Sequence, residues 1–297
     1  MNRFKNSLSR IVAVPGRLVR LPQEYRDLHA KLQQRAKKIA ALEAKNAEQA
    51  AEIVRLKRVI KKLRTADMHR MLPEPVAKVA EAVIEKQLTL MSARPLTSLV
   101  RALIDVQLAG VPGIVIEAGT ARGGSAIVLA TAKSPDRAMK VYDVFGMIPP
   151  PSDKDGADVH RRYERITSGQ ARGGEEYYGY RDNLYDEVTN SFAEFGVPVH
   201  ENRVELIRGL FQDTIDLHEP VAFAHVDGDW YESTMTCLER IVPWLSVGGR
   251  LVIDDYFMWS GCRLAVDEYF AGREEFELVP GLRLQVVRLA ETPTPAS

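Results

Sequence analysis

Two cysteines, Cys237 and Cys262, are all that the 297 residues contain. That excludes a disulfide framework and a cysteine-rich zinc site, and makes a reducing cytoplasm the default compartment. No apolar run reaches the ~20 residues that span a bilayer. The signature G-x-G-x-x-G is missing, which argues against a nicotinamide-dependent dehydrogenase. Net charge is missing as well, because 40 Lys and Arg balance 40 Asp and Glu. The balance conceals a division. Residues 1–70 hold 18 basic and 6 acidic side chains, whereas the other 227 hold 22 and 34. Two regions of opposite character are joined in one chain.

The first region begins with a basic arm (Arg3, Lys5, Arg10, Arg17, Arg20) around a short apolar patch, Ile11–Val14, that Pro15 and Gly16 cut off. The patch is too short for the core of a signal peptide. It reads first as an arm without fixed structure, and second as a weak peripheral contact with an anionic membrane or polymer.

From Tyr25 a period of seven sets in. One seam position holds Tyr25, Leu32, Ile39, Asn46, Ile53 and Ile60, and the other Leu28, Arg35, Leu42, Gln49, Leu56 and Leu63. This is an a/d pattern over about six heptads. The other faces are rich in Lys, Glu, Gln and Ala, so the stripe needs a partner helix. Isoleucine at a, leucine at d and one asparagine at a favour two parallel strands, and thus a homo-oligomer. The pairs Lys38/Glu43 and Glu52/Lys57 stand at the spacing that links parallel chains. No aromatic interleaving accompanies the basic residues, so nucleic acid is not expected as a partner. Thr65–Pro75 reads as the join, because Pro73 and Pro75 oppose helix continuation.

Beyond residue 76 helices alternate with short apolar strands. Helices are expected at Val76–Gln87, Leu96–Leu108, Ser125–Lys133, Tyr177–Phe195, Tyr231–Leu245 and Cys262–Ala271. Strands are expected at Gly113–Glu117, Lys140–Val144, Val204–Arg208, Val221–Val226 and Arg250–Ile253, with a closing hairpin from Glu277–Val279 and Leu282–Arg288. The alternation predicts a parallel sheet with right-handed crossovers, whose ligands lie beyond the carboxyl ends of the strands.

The unusual residues fall at those ends. Glu117-Ala-Gly119-Thr-Ala-Arg-Gly123-Gly124-Ser125 follows the first strand and opens a helix, a turn that lets backbone N–H groups approach a ligand. Asp143 ends the next strand, where a carboxylate can accept ribose hydroxyls. His225-Val-Asp227-Gly-Asp229-Trp-Tyr-Glu-Ser-Thr and Asp254-Asp255-Tyr256 put four carboxylates at the ends of two strands. Helix capping accounts for one of the four. A hard divalent cation would offset the repulsion among them. His225, flanked by apolar residues, reads as a packed core histidine. The segment Phe145–Gly174 has no clear period and suggests a lid, in which Arg161, Arg162, Tyr163 and Arg165 either face substrate or form a solvated face.

As a linked set, E-x-G-x-x-x-G-G-S, V-Y-D-V-F-G, H-V-D-G-D-W-Y-E-S-T, G-G-R-L-V-I-D-D-Y and G-C-R-x-A-V-D-E resemble the macrocin O-methyltransferase family over residues 76–290. These are class I S-adenosylmethionine (SAM) enzymes that methylate sugar hydroxyls of macrolide and aminocoumarin antibiotics. The resemblance implies an α/β Rossmann-like methyltransferase sheet with helices on both faces, a C-terminal antiparallel hairpin and a mobile lid. Here an N-terminal coiled coil precedes it. It further implies Mg²⁺ held by Asp227, Asp254 and Asp255, with Asp229 as general base, although the residues alone leave Asp227 and Asp229 open for that role. Glu117, Gly119, Gly123, Ser125 and Asp143 match the SAM pocket, with Gly209, Phe211 and Asp213 near the adenine. The acceptor would be a sugar-containing small molecule or glycan. The rival reading is a metal-dependent glycosyltransferase that uses Asp227-Gly-Asp229 as a D-x-D motif, and a third is a non-catalytic coiled-coil scaffold. The expected organisation is an arm at 1–22, a coiled coil at 23–66, linker and first helix at 67–95, the methyltransferase domain at 96–290 with its lid at about 145–176, and a tail at 291–297.

Overall fold

The computed structural model describes residues 23–171 and 177–291. The basic arm, lid residues 172–176 and the tail from 292 lie outside the described residues. The chain divides into two compact units between Lys61 and Lys62.

Among the described residues the first unit is helical. Helix α1, Gln23–Met71, begins in it and carries the heptads. The helix runs past residue 66, where the sequence reading placed a linker, and its closing turns belong to the second unit. There Met68 and Leu72 are buried among core residues. Pro73 sets the stop.

Helix α2 (Glu74–Glu85) starts directly behind Pro73 and buries Val76, Ala77, Ala80 and Val83, one stripe at helical spacing. Helix α3 (Ala93–Leu108) buries Leu96, Leu99, Val100 and Leu103 in the same way. Then come β1 (Ile114–Ala118), α4 (Gly124–Ala132), β2 (Met139–Asp143), α5 (Ala157–Thr167), α6 (Leu184–Glu194), β3 (Val204–Arg208), α7 (Phe211–Thr214), β4 (Val221–Val226), α8 (Tyr231–Ile241), β5 (Leu245–Ile253), α9 (Ser260–Phe270), β6 (Phe276–Val279) and β7 (Leu284–Arg288).

The seven strands form one sheet in the order β3-β2-β1-β4-β5-β7-β6. The first five run parallel, and β7 pairs antiparallel with both β5 and β6. The chain builds outward from β1 to β3, then returns to add β4 on the other side of β1. The crevice between β1 and β4 is therefore the switch point where such sheets bind ligands. Strands β1 and β4 are buried throughout, as expected of strands covered on both faces. One core packs α2, α3, α4 and α6 against one face of the sheet, and a second packs α8 and α9 against the other.

Several elements differ from the sequence reading, among them the short helix α7, which it did not foresee. The lid segment contains helix α5, whose only buried residues are Val159 and Ile166, too few to give a readable stripe. The helix expected over Tyr177–Phe195 is broken into a 3-10 turn at Tyr178–Tyr180 and α6. Helix α8 stops at Ile241 because Pro243 enters a 3-10 turn, and β5 then begins at Leu245, earlier than expected. Glycines 248 and 249 made that strand look short. The register shift between Val221 and Phe223 absorbs them as a bulge.

Candidate functional site

The carboxyl ends of β1, β2, β4 and β5 open into a cavity of about 670 Å³, within the range of small-molecule sites. Its floor is the turn after β1. Gly119 has φ +89°, and a Cβ there would lie 2.0 Å from the carbonyl oxygen of Asp227. Only glycine lets the two central strands approach this closely.

Asp143 holds the turn in shape. Its Oδ2 accepts hydrogen bonds from the backbone N–H of Thr120 (2.7 Å) and Ala121 (3.0 Å), and its Oδ1 from that of Phe145 (2.6 Å). Burial pushes the carboxyl up, and these three donors pull it part of the way back. The carboxylate thus keeps one acceptor position for a ligand hydroxyl, where the sequence reading expected room for a pair.

Gly119, Ser125, Asp143 and Phe211 line the cavity, whereas Glu117, Gly123, Gly209 and Asp213 do not. Gly123 serves as the left-handed residue before α4, with φ +83°. Gly209 donates its N–H to the Asp143 carbonyl (3.0 Å), and Asp213 is exposed. Glu117 is fully buried, accepts the hydroxyl proton of Ser125, and meets His225 Nδ1 at 2.9 Å. It faces His225 because the two residues are register partners on β1 and β4.

On the opposite wall, one carboxylate oxygen from each of Asp227, Asp254 and Asp255 lies within 4.8 Å of the other two. Asp229 stands outside that cluster but lines the same cavity. Burial, then the neighbouring acids, push Asp227, Asp229 and Asp255 well above the usual carboxylate range. Asp254 goes the other way. Burial opposes its charge, but His225 and Arg283 outweigh it and hold the pKa below its ordinary value. Glu117 and Asp254 on either side push the His225 pKa well above its ordinary value, against the opposing cost of burial. Asp255 Oδ2 is buried with no hydrogen-bond partner. Three converging acidic oxygens and an orphaned acceptor fit a hard divalent ion such as Mg²⁺. A D-x-D site would instead draw on Asp227 and Asp229 together, and these are not the pair that converges.

Asp229 has φ +58°, a conformation rare for a residue with a side chain. Trp259 offers it a hydrogen bond, and Arg162 on α5 pulls its pKa down. Of the lid residues named from sequence, Arg162 and Arg165 line the cavity, while Arg161 and Tyr163 do not. The lid is fastened beside the acids. Asp155 Oδ1 accepts the Tyr231 N–H at the start of α8 (2.9 Å), Asp158 Oδ2 accepts the Ser260 N–H at the start of α9 (3.0 Å), and Trp230 donates to the Pro149 carbonyl (3.0 Å).

Sequence reasoning missed Thr89, Leu90 and Met91, which line the cavity from the turn between α2 and α3. It also missed Trp259, Tyr177, Tyr178 and Arg283, whose Nε donates to Asp254. A signal existed only for the turn. Gly124 has no room for a Cβ, because the Leu88 carbonyl would lie 2.5 Å away.

Residues 22–277 match the family described as Macrocin-O-methyltransferase (TylF). Demethyldecarbamoylnovobiocin O-methyltransferase of Streptomyces niveus is 29% identical over 205 residues, 65% of this chain and 71% of that one. The 8-demethyl-8-(2,3-dimethoxy-alpha-L-rhamnosyl)-tetracenomycin-C 4'-O-methyltransferase of Streptomyces olivaceus is 33% identical over 189 residues, 61% of this chain and 67% of that one. Among solved structures, the O-methyltransferase NovP superposes with a TM-score of 0.58 at 28% identity, covering 68% of this chain and 83% of its own.

Proposed function

Because the chain belongs to the macrocin O-methyltransferase family, and is thus a SAM-dependent O-methyltransferase, we propose that it methylates a sugar hydroxyl of a glycan or glycosylated natural product. In this reading Asp227, Asp254 and Asp255 hold Mg²⁺, and Asp229 is the general base. The observation that carries it is the meeting, in one cavity, of the glycine turn braced by Asp143 with the converging carboxylates. The sugar acceptor is supported by the Streptomyces olivaceus relative, whose name specifies a rhamnosyl group.

A sugar hydroxyl is a poor nucleophile because it holds its proton tightly. When bound, the sulfonium donor supplies an electrophilic methyl carbon, and the divalent ion makes the hydroxyl it touches more acidic. The residues of the chain do the rest. Asp143, through the Thr120 and Ala121 N–H groups, fixes the turn against which the donor lies, and the Leu210–Gln212 segment walls its nucleoside end. Asp229 takes the hydroxyl proton, a contribution of ~10²–10⁴-fold for a well-placed base. Its position outside the trio leaves its carboxylate available for that task. Tyr177, Tyr178 and Trp259 give the acceptor side a wall of aromatic rings suited to the apolar face of a pyranose. The lid over them excludes water from the transfer.

The test is mass spectrometry of a glycan and glycoside panel incubated with isotope-labelled SAM and Mg²⁺. One labelled methyl should be gained on a sugar oxygen, and chelation should abolish the gain. A methyl found on a non-sugar oxygen removes the acceptor assignment, and transfer that survives chelation removes the metal.

A further inference from the structure

Helix α1 leaves its heptad seam open. The a-position residues Ile39, Ile53 and Ile60 and the d-position residues Leu42, Leu56 and Leu63 are 46–62% exposed, whereas leucine and isoleucine in the sheet-bearing unit are largely buried. So many large apolar residues in one stripe mark an interface. We propose that this stripe pairs with a second copy of the chain as a parallel, in-register, two-stranded coiled coil over residues 25–63.

Three features select that occupant. β-branched isoleucine at a with leucine at d is the two-strand combination. Asn46, at an a position, meets its own amide counterpart only when the chains run parallel and in register, and a mismatched register buries it against hydrocarbon. The flanking charges then attract in both directions: Lys38 with the partner's Glu43, and Glu52 with the partner's Lys57. An antiparallel alignment over the same residues sets Asn46 opposite Leu42, Gln49 opposite Ile39 and Arg35 opposite Ile53, three polar-on-apolar layers on each side. In the parallel arrangement Arg35 faces its own copy, and its long stem can carry the guanidinium out to water. Nearly six heptads exceed the three to four that sustain such a coil.

The experiment uses the full chain. Cys237 and Cys262 are buried, so an introduced cysteine is the only accessible thiol. Leu42→Cys, air-oxidised at low protein concentration, should collect as a disulfide-linked dimer on a non-reducing gel, because a seam residue meets its own copy within bridging distance. Ala44→Cys, on the outer face, should remain single. Light scattering of the unsubstituted chain should give twice the mass of one chain. The double variant Leu42→Asp, Leu56→Asp should halve it while leaving SAM binding by calorimetry unchanged. A single-chain mass for the unsubstituted protein, a dimer whose Leu42→Cys form does not cross-link, equal cross-linking at position 44, or a dimer that survives both aspartates each overturns the proposal.

Discussion

Leucine and isoleucine do opposite things in the two units. In the sheet-bearing unit they are packed away: Leu96, Leu99, Leu103, Ile116 and Ile127 are among its largest fully buried side chains. In α1 the same residue types stand about half exposed. Both sets follow a clear helical or strand period, so periodicity alone reports that a face will be buried and says nothing about where the covering surface comes from. The first unit has too little chain to cover its own stripe, whereas the second folds back on itself many times.

Four predictions test that contrast, from the largest effect down. Asp229→Asn should reduce turnover by ~10²–10⁴-fold, the usual contribution of a general base, with SAM affinity and assembly state unchanged. Retention of most activity would take the base role away from Asp229. Leu103→Ala should cost ~2–5 kcal/mol of unfolding free energy in the catalytic unit, read by denaturant titration. The chemically identical Leu32→Ala should leave that transition where it is and weaken only self-association. Equal shifts for both would erase the distinction between internal and external burial. Asp143→Asn should weaken SAM binding, since asparagine has a single acceptor oxygen: it can keep the bonds from Thr120 and Ala121 or the one from Phe145, and it turns its NH2 donor toward the N–H on the other side. The loss expected is ~1–3 kcal/mol, measured by calorimetry. Deleting residues 1–61 should have the smallest effect of all: the melting transition and SAM affinity of the catalytic unit should match those of the full chain. A truncated chain that fails to bind SAM would show that the units are interdependent.

The strands were legible wherever a short apolar run stood between turn residues. Val204–Arg208 and Val221–Val226 were read to the residue. The proposed ligands on β4 and β5 were legible because acids at the ends of apolar strands have few structural explanations. Glu117 was harder. Placing its side chain requires knowing that β1 and β4 are neighbours, which makes it face His225 away from the cavity. Helix α5 escaped because it rests on two buried residues seven apart and is otherwise mostly polar or charged. Arg283 and the Thr89–Met91 turn reach the cavity from opposite ends of the unit, and no local pattern encodes a contact made across nearly two hundred residues.

The left-handed backbone at Asp229 governs how its role should be probed. Aspartate and asparagine tolerate φ +58° because a short polar side chain can satisfy nearby main-chain groups, and alanine has no such help. An alanine scan would thus confound lost proton transfer with a relaxed loop that also carries Asp227. Asparagine, nearly isosteric with aspartate, changes the chemistry and spares the geometry.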